Sequence, residues 1–268
     1  MINNEKYVNL LTYLKKLEKV VLAFSGGVDS TFLLKAAKEA LGDELKAVTI
    51  QSPYIPKWEI EEAKQLIAKL EIAFEIVEAP IIDEIRNNPE NRCYLCKKAV
   101  FSQIKAIAER EGYLYVIDGT NFDDIGDYRP GLAALKELNI KSPLLECQLG
   151  KQEIRNLSKE LGLPTWDKPP YACLLTRIPY GNELKEEDFI KIEKAEKYMM
   201  DRGFRAVRVR CHGNLARIEV DKKDKNKLFN EELLAEIADR LKEFGFTFVT
   251  LDLEGYRVGS FNETLGNK

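Results

Sequence analysis

Histidine is almost absent from this chain, and several common signals are missing altogether. A single His, His212, occurs in 268 residues, which excludes a zinc site built on several histidines. No apolar run approaches the roughly 20 residues that span a bilayer. The first residues also lack the charged and then apolar pattern of a signal peptide. These absences predict a cytoplasmic protein with no membrane partner.

An excess of charge of one sign is also lacking. The sequence has 41 Lys and Arg against 44 Asp and Glu, which gives a net charge of −3. A nucleic-acid partner usually requires a basic face, so this balance argues against one, although a local basic patch is compatible with it. With 45% hydrophobic and 32% charged residues, the composition is that of a soluble globular enzyme with one large domain or two modest ones.

The phosphate-binding Walker pattern is missing, but another glycine loop is present. Residues 23–30 read Ala-Phe-Ser-Gly-Gly-Val-Asp-Ser and follow an apolar run. The order is a strand, a glycine turn and the first turn of a helix. This order directs backbone N–H groups outward, and together they form a binding site for an anion, an anion cradle. The alternative is a tight turn that binds nothing. The loop at Ser25, Gly26, Gly27, Asp29 and Ser30 is the first candidate site.

Apolar runs and amphipathic stretches alternate through the first 165 residues. The runs at 20–24, 45–50, 73–77 and 114–117 are typical of buried strands, and 31–41, 58–70 and 96–110 of helices. This alternation predicts an α/β fold with a doubly wound, mainly parallel sheet. Ligands of such sheets bind at the carboxyl ends of the strands.

The remainder of the chain follows a different pattern. Prolines and glycine punctuate residues 164–182, and from about residue 183 the order helix, strand, strand, helix, strand predicts a small α+β domain around a Gly213-Asn214 turn. We therefore expect a domain at 1–165, a hinge at 166–182 that carries Cys173, and a second domain at 183–268.

A second candidate site follows the predicted strand at 114–117. Gly119, Asn121 and Asp123 belong to a run that begins at Asp118 and is rich in carboxylates. Carboxylate oxygens near a triphosphate can hold Mg²⁺, and Arg129 could contact a phosphate. The alternative is an acidic surface loop whose Asn and Asp residues cap the next helix.

Cysteine is scarce, odd in number and unevenly placed. Five cysteines in an expected cytoplasmic chain predict thiols or metal ligands, not disulfides. Cys93 and Cys96 form a C-x-x-C pair at a helix start, and Cys173 is the obvious third thiol. Three thiolates suit a [4Fe–4S] cluster with one open iron, and a sacrificial or persulfide-bearing thiol or inert thiols are the alternatives. Cys147 is interpreted as a core residue.

Arginines form the last candidate site. Arg208 and Arg210 share one face of a predicted strand because side chains alternate along strands, and Arg177 lies in the predicted hinge. Guanidinium groups placed together bind phosphate or carboxylate. An exposed polar strand face is the alternative. Glu196, in the preceding helix, is a weaker candidate for orienting a substrate hydroxyl or an arginine.

These motifs resemble a known family. Ser-Gly-Gly-x-Asp-Ser resembles the loop of the PP-loop ATP pyrophosphatases, whose fold is the adenine nucleotide α-hydrolase type. The stretches 172–181, 208–213, 216–220 and 251–260 resemble, more specifically, the LarE-type ATP-dependent sulfur-inserting enzymes of nickel-pincer nucleotide cofactor biosynthesis. The resemblance covers nearly the whole chain.

The resemblance implies a reaction, its cofactors and its partners. Such an enzyme uses ATP and Mg²⁺ to adenylate a carboxylate of a pyridinium biscarboxylic acid mononucleotide. Sulfur then displaces AMP and leaves a thiocarboxylate. The resemblance also implies a homo-oligomer in which residues 183–268 bind the substrate and mediate oligomerisation. The implied partner protein is the nickel-inserting enzyme of the same pathway. The implied ATP site comprises Ser25, Gly26, Gly27, Asp29, Ser30, Gly119, Asn121 and Asp123, and the implied substrate site Arg177, Glu196, Arg208 and Arg210.

The resemblance also assigns the sulfur chemistry to Cys173. In one branch of the family this cysteine gives up its own sulfur, and in another three cysteines hold a [4Fe–4S] cluster that carries sulfide. Cys93 and Cys96 place this chain in the second branch. A PP-loop tRNA thiolase is the alternative enzyme, and a nucleotide-binding protein without catalysis is the alternative of another class.

Overall fold

The computed structural model describes residues 4–126 and 130–257. These residues divide into two compact units: residues up to 82 with 91–170, and residues 83–90 with those from 171 onward. In the described part of the chain, no helix is long and apolar enough to cross a membrane.

The first unit is built on a parallel sheet. Its strands β1 to β4 are Val20–Ala23, Leu45–Gln51, Ala73–Glu78 and Tyr115–Ile117, and they lie in the order β3-β2-β1-β4. Val20 of β1 pairs with Leu45 on one side and Tyr115 on the other. The two inner strands are largely buried, as expected for a sheet covered on both faces. The predicted α/β fold with a parallel sheet is therefore confirmed.

Helices cover this sheet because each has an apolar face. In chain order, α1 to α7 of the first unit are Glu5–Lys15, Val28–Leu41, Lys57–Leu70, Arg92–Arg110, Pro130–Glu137, Pro143–Glu146 and Lys151–Glu160. Leu22 of β1, Phe32 of α2 and Ile154 of α7 share one buried core cluster. Val21 of β1 and Ile104 of α4 belong to another. Helices α2 and α4 begin three and four residues earlier than predicted.

The strand order fixes where a ligand would bind. From β1 the chain proceeds to β2 on one side, whereas β4 lies on the other side of β1. The order therefore reverses between β1 and β4, which is the topological switch point of the sheet. The segments that follow these two strands are the Ser25 loop and the Asp118 segment.

The second unit has its own small sheet. It comprises α8 (Glu186–Asp201), β5 (Val207–His212), β6 (Leu215–Val220), α9 (Glu231–Glu243) and β7 (Phe248–Leu251). Strand β5 is antiparallel to β6, and β6 is parallel to β7. The predicted order of helices and strands, around a turn at Gly213, is confirmed.

Residues 83–90 pack with the second unit although they precede α4 in the chain. The Asn88 side-chain amide donates to the carbonyls of Ile178 (2.8 Å) and Pro179 (3.0 Å), and the Leu184 amide donates to Arg86 O (2.7 Å). No local pattern in the sequence indicates this excursion. The hinge role of 166–182 and the substrate-binding role of 183–268 stay predictions.

Candidate active site

The loop after β1 has the backbone of an anion cradle. Gly26 has a φ of +70°, which other residues rarely adopt. Gly27 is the N-cap of α2 without a side-chain cap, so the first amides of this helix point out of the loop. The hydroxyls of Ser25 and Ser30 lie 3.0 Å apart. Several hydrogen-bond donors thus converge where a phosphate could bind.

The segment after β4 meets this loop. The Asn121 side-chain amide donates to Asp29 Oδ2 at 3.1 Å. Gly119 packs so closely that a Cβ at this position would lie 3.1 Å from Ser30 N. The two segments that the sequence singled out, about 90 residues apart, therefore form one site within the first unit.

Asp29 is the half-buried carboxylate of this site. Burial raises the pKa of Asp29, and the charge of Asp124 adds to the effect, whereas the Asn121 hydrogen bond and the cations Lys151 and Arg155 oppose it. A partly desolvated carboxylate gains from a cation. The predicted role of Asp29 in ATP binding stays a prediction.

The other carboxylates of the β4 segment have local partners. Asp118 accepts from Thr120 Oγ1 and from Ser142 Oγ at 2.6 Å. Asp123 accepts from the Lys151 amide at 2.7 Å, at the first residue of α7. The structure therefore gives Asp123, a predicted ATP ligand, a contact that holds the start of α7. Arg129 lies outside the described residues.

Lys168 and Arg155 also reach this site, although no motif in the sequence points to either. Lys168 Nζ donates to Gly26 O at 3.1 Å and to Glu62 at 2.8 Å. Arg155 donates to the carbonyls of Trp166 (2.9 Å) and Lys168 (2.8 Å). The only sequence signal was the position of Lys168, five residues before Cys173 in the proline-rich stretch.

The C-x-x-C pair lies in the first turn of α4. Cys93 is exposed and Cys96 is partly buried, and neither is in a disulfide. The Tyr54 hydroxyl lies 3.2 Å from Cys96 Sγ. Burial raises the pKa of the Cys96 thiol, and the Tyr54 hydrogen bond and Lys97 only partly offset this. Cys93 is therefore the more accessible thiol of the pair.

Cys173 belongs to the second unit, where it precedes a 3-10 turn at Leu174–Arg177. Its carbonyl accepts from Arg177 Nη1 at 3.3 Å and from Thr176 Oγ1 at 3.0 Å. Among residues 4–126 and 130–257, no three His, Cys, Asp or Glu side chains are arranged to hold a metal ion. The cluster predicted at Cys93, Cys96 and Cys173 stays a prediction.

The remaining cysteines, Cys147 and Cys211, are packed into the two units. Cys147 is half-buried and packs against the core of the first unit. Cys211 is buried on β5 and its Sγ lies 3.2 Å from Gly213 O. The neighbouring His212 is exposed at the end of the strand.

The predicted arginine site is a buried charge network in the second unit. Arg177, which is 1% exposed, forms a bidentate salt bridge with Glu196. Its Nε donates to Oε1 at 2.8 Å and its Nη2 donates to Oε2 at 2.9 Å. Glu196 Oε1 also accepts from the Val209 amide at 2.9 Å. Arg210 pairs in the same way with the fully buried Glu219, at 2.9 and 2.7 Å. The guanidinium groups of Arg177 and Arg210, which were predicted to bind an anion, thus contact internal carboxylates.

Arg208 has a different environment. Its guanidinium group lies 4.8 Å from the centre of the Tyr256 ring and 5.6 Å from that of Tyr171. Burial and the charge of Arg177 lower the pKa of Arg208, whereas Glu196 raises it. An incoming anion would offset this desolvation. The pKa of Arg208 is therefore lowered mainly by its burial.

Comparison with known proteins places these features in a family. The NAD synthase family model matches residues 4–109, and a glutamine-hydrolysing GMP synthase of Chlamydia caviae is 29% identical over 61% of this chain and 34% of its own length. An uncharacterised protein of Synechocystis is 42% identical over 97% of this chain and 98% of its own length.

A relative with a named activity is similar over nearly its full length. The pyridinium-3,5-bisthiocarboxylic acid mononucleotide synthase of Lactiplantibacillus plantarum is 37% identical over 97% of this chain and 95% of its own length. The parallel sheet with a glycine loop at its switch point agrees with that relationship. The chain therefore belongs to the LarE-type family of PP-loop enzymes, and it is an ATP-dependent sulfurtransferase.

Proposed function

We propose that this enzyme converts a carboxylate of pyridinium-3,5-biscarboxylic acid mononucleotide into a thiocarboxylate. The similarity over nearly the full length to a pyridinium-3,5-bisthiocarboxylic acid mononucleotide synthase carries the proposal. A carboxylate oxygen first attacks the α-phosphorus of ATP, and the bond to the β-phosphate breaks, so that pyrophosphate leaves with the bonding electrons. A sulfide sulfur then attacks the acyl carbon, AMP leaves, and the proton of the sulfide goes to solvent.

ATP binds in this proposal at the switch point of the sheet. The backbone and hydroxyls of Ser25 to Ser30 hold the pyrophosphate part, and Asp29 holds Mg²⁺. Gly119 allows the β4 segment to approach the loop closely, because any side chain there would press on the Ser30 backbone. Asn121 orients the Asp29 carboxylate through its 3.1 Å hydrogen bond. Asp123 acts by fixing the start of α7 next to this segment.

The phosphate of the mononucleotide is assigned to the arginine network. Arg208 would donate to it directly, since burial between two tyrosine rings leaves its charge poorly solvated. Arg177 and Arg210 fix β5 and the Cys173 turn through Glu196 and Glu219.

Sulfur transfer is assigned to Cys173. Donor chemistry fits a [4Fe–4S] cluster held by Cys93, Cys96 and Cys173, because all three are reduced thiols that are not fully buried and two lie a helical turn apart. Such a cluster would supply an open iron that carries the sulfide. In the alternative without it, Cys173 gives up its own sulfur and becomes dehydroalanine.

Pyrophosphate release in the presence of the biscarboxylate substrate, ATP and Mg²⁺ tests the function. Wild-type enzyme with a sulfur source should release pyrophosphate and yield a product whose mass shows oxygen replaced by sulfur. Asp29→Ala should abolish both. Asp43→Ala, which removes a fully exposed carboxylate of a surface ion pair, should change neither. Binding of ATP without pyrophosphate release by the wild type would refute the proposal.

Iron content and absorption of anaerobically purified protein test the cluster. Each of the variants Cys93→Ala, Cys96→Ala and Cys173→Ala should lose its iron. The control variant Cys147→Ala should have the iron content of the wild type. If Cys173 is instead a consumed donor, Cys93→Ala should retain a single turnover. Mass spectrometry should then show Cys173 lighter by one H₂S.

A further inference from the structure

The ammonium group of Lys168 lies at the glycine loop after β1. Lys168 Nζ donates to Gly26 O at 3.1 Å, and Gly26 is the residue whose positive φ shapes the loop. Gly26 itself packs on α3, where a Cβ would lie 3.4 Å from the Ala63 Cβ. The same helix carries Glu62, which accepts from Lys168 at 2.8 Å. A positive charge is therefore fixed beside the proposed anion cradle.

Two features hold this charge in place. Arg155 of α7 binds the Lys168 carbonyl at 2.8 Å and the Trp166 carbonyl at 2.9 Å, which fixes the backbone of the segment. The Lys168 side chain is 14% exposed and its ammonium lies 5.7 Å from the centre of the Trp58 ring. The negative face of the ring attracts an ammonium group placed over it.

The Glu62 contact is the weaker part of this arrangement. The Glu62 side chain is 55% exposed, and ion pairs with solvent-exposed partners contribute little to stability. A phosphate oxygen in the loop would offer Lys168 a stronger, less screened partner. Exchange of the carboxylate for a phosphate would therefore cost little.

We propose that Lys168 is a further catalytic residue, which contacts the β- or γ-phosphate of ATP in the loop after β1. When the bond between the α-phosphorus and the bridging oxygen breaks, the electron pair stays on pyrophosphate, and the Lys168 ammonium stabilises that developing charge. The inference rests on the proposed ATP site and adds a residue that the glycine motif does not contain.

Separate binding of inorganic pyrophosphate and of AMP tests this assignment. Lys168→Met should weaken pyrophosphate binding by about tenfold to a hundredfold, the range for a lost charged hydrogen bond, and should leave AMP binding unchanged. Lys168→Arg should restore part of the pyrophosphate affinity. Lys159→Met is the matched control, because Lys159 also lies over a tryptophan ring, Trp166 at 4.7 Å, and this variant should bind both ligands as the wild type does.

Three results would overturn the inference: wild-type pyrophosphate affinity in Lys168→Met, an equal loss of AMP affinity, or the same loss in the Lys159 control. Turnover provides a second readout, since pyrophosphate release at saturating ATP should slow in Lys168→Met. Failure of the proposed function is distinguishable, because wild-type enzyme would then release no pyrophosphate with the biscarboxylate, while the two binding measurements would still give their answer.

Discussion

Replacing Arg177 by Met should destabilise the second unit by about 3–5 kcal/mol near neutral pH, the usual cost of breaking a buried ion pair by removing one partner. Arg177 and Glu196 are 1% and 4% exposed, and both guanidinium contacts to the carboxylate are shorter than 3 Å. The variant leaves the Glu196 charge buried without this partner. Unfolding of the unit relieves that cost.

The effect should depend on pH with a definite sign. Burial raises the pKa of Glu196, but Arg177, Arg208 and the Val209 amide outweigh it and hold this pKa below its usual value. In the wild type the Glu196 carboxylate thus stabilises the fold at pH values above its pKa in the unfolded chain, which is about 4.3. This stabilisation is lost as the pH falls through the pKa in the folded protein. Without Arg177, burial dominates and raises the folded pKa, so the variant loses stability as pH rises through it. The difference between the two proteins should shrink towards acid pH.

Hydrogen exchange of α8 and β5, read by mass spectrometry, is the appropriate assay. Trp58 and Trp166 both lie in the first unit, so tryptophan fluorescence would not report on the second. At about pH 7 the variant's β5 amides should exchange roughly a hundredfold or more faster, and at about pH 5 the ratio, corrected for intrinsic rates, should be smaller.

Two further variants make this test decisive. Arg177→Met with Glu196→Gln should regain much of the protection, because the amide oxygen keeps an acceptor for the Val209 N–H, which lies 2.9 Å from Glu196 Oε1, and carries no charge. Lys197→Met removes an exposed ion pair of the same helix and should change protection little. An equal loss at both pH values, or no recovery in the double variant, would refute the electrostatic explanation.

Three other predictions concern the first unit and the thiols. Gly119→Ala should weaken ATP binding roughly tenfold in calorimetry, because its methyl would lie 3.1 Å from Ser30 N and displace the loop; unchanged affinity would contradict this. Asp123→Ala should lower stability to urea by about 1 kcal/mol through loss of its contact to α7, and full stability would refute the capping role. Burial, and next the charge of Asp188, raise the pKa of Cys211 to about 12, so iodoacetamide at about pH 8 should label Cys93 and spare Cys211. Early labelling of Cys211 would count against the buried position.

The sequence predicted the sheet and the loop because both depend on local patterns. The apolar run at Val20–Ala23, the two glycines and the helix at Val28–Leu41 follow one another directly in the chain, and each is fixed by short-range preferences. The meeting of Asn121 with Asp29 followed from a general rule for parallel sheets. Exact helix starts were missed, since caps and first turns carry little periodicity.

Partners of the charged residues could not be predicted in the same way. The alternation of side chains along β5 puts Arg208 and Arg210 on one face of the strand. It does not predict which carboxylate each arginine contacts. Glu219 lies opposite Arg208 in the strand register and yet pairs with Arg210. Likewise Lys168 reaches Gly26 across more than 140 residues of sequence. Such pairings depend on tertiary packing, which a single sequence does not encode in any local pattern.

The buried network holds the backbone of the Cys173 turn in place. Arg177 Nη1 donates to the carbonyls of Ala172 (2.9 Å) and Cys173 (3.3 Å), while the other edge of the same guanidinium group binds Glu196 on α8. One planar cation therefore links the Cys173 backbone to a helix. An apolar core residue of similar volume could match its stability, but it could not hold two carbonyls in a fixed direction. The proposed sulfur transfer would gain from that constraint, because Cys173 would then present its sulfur at one point.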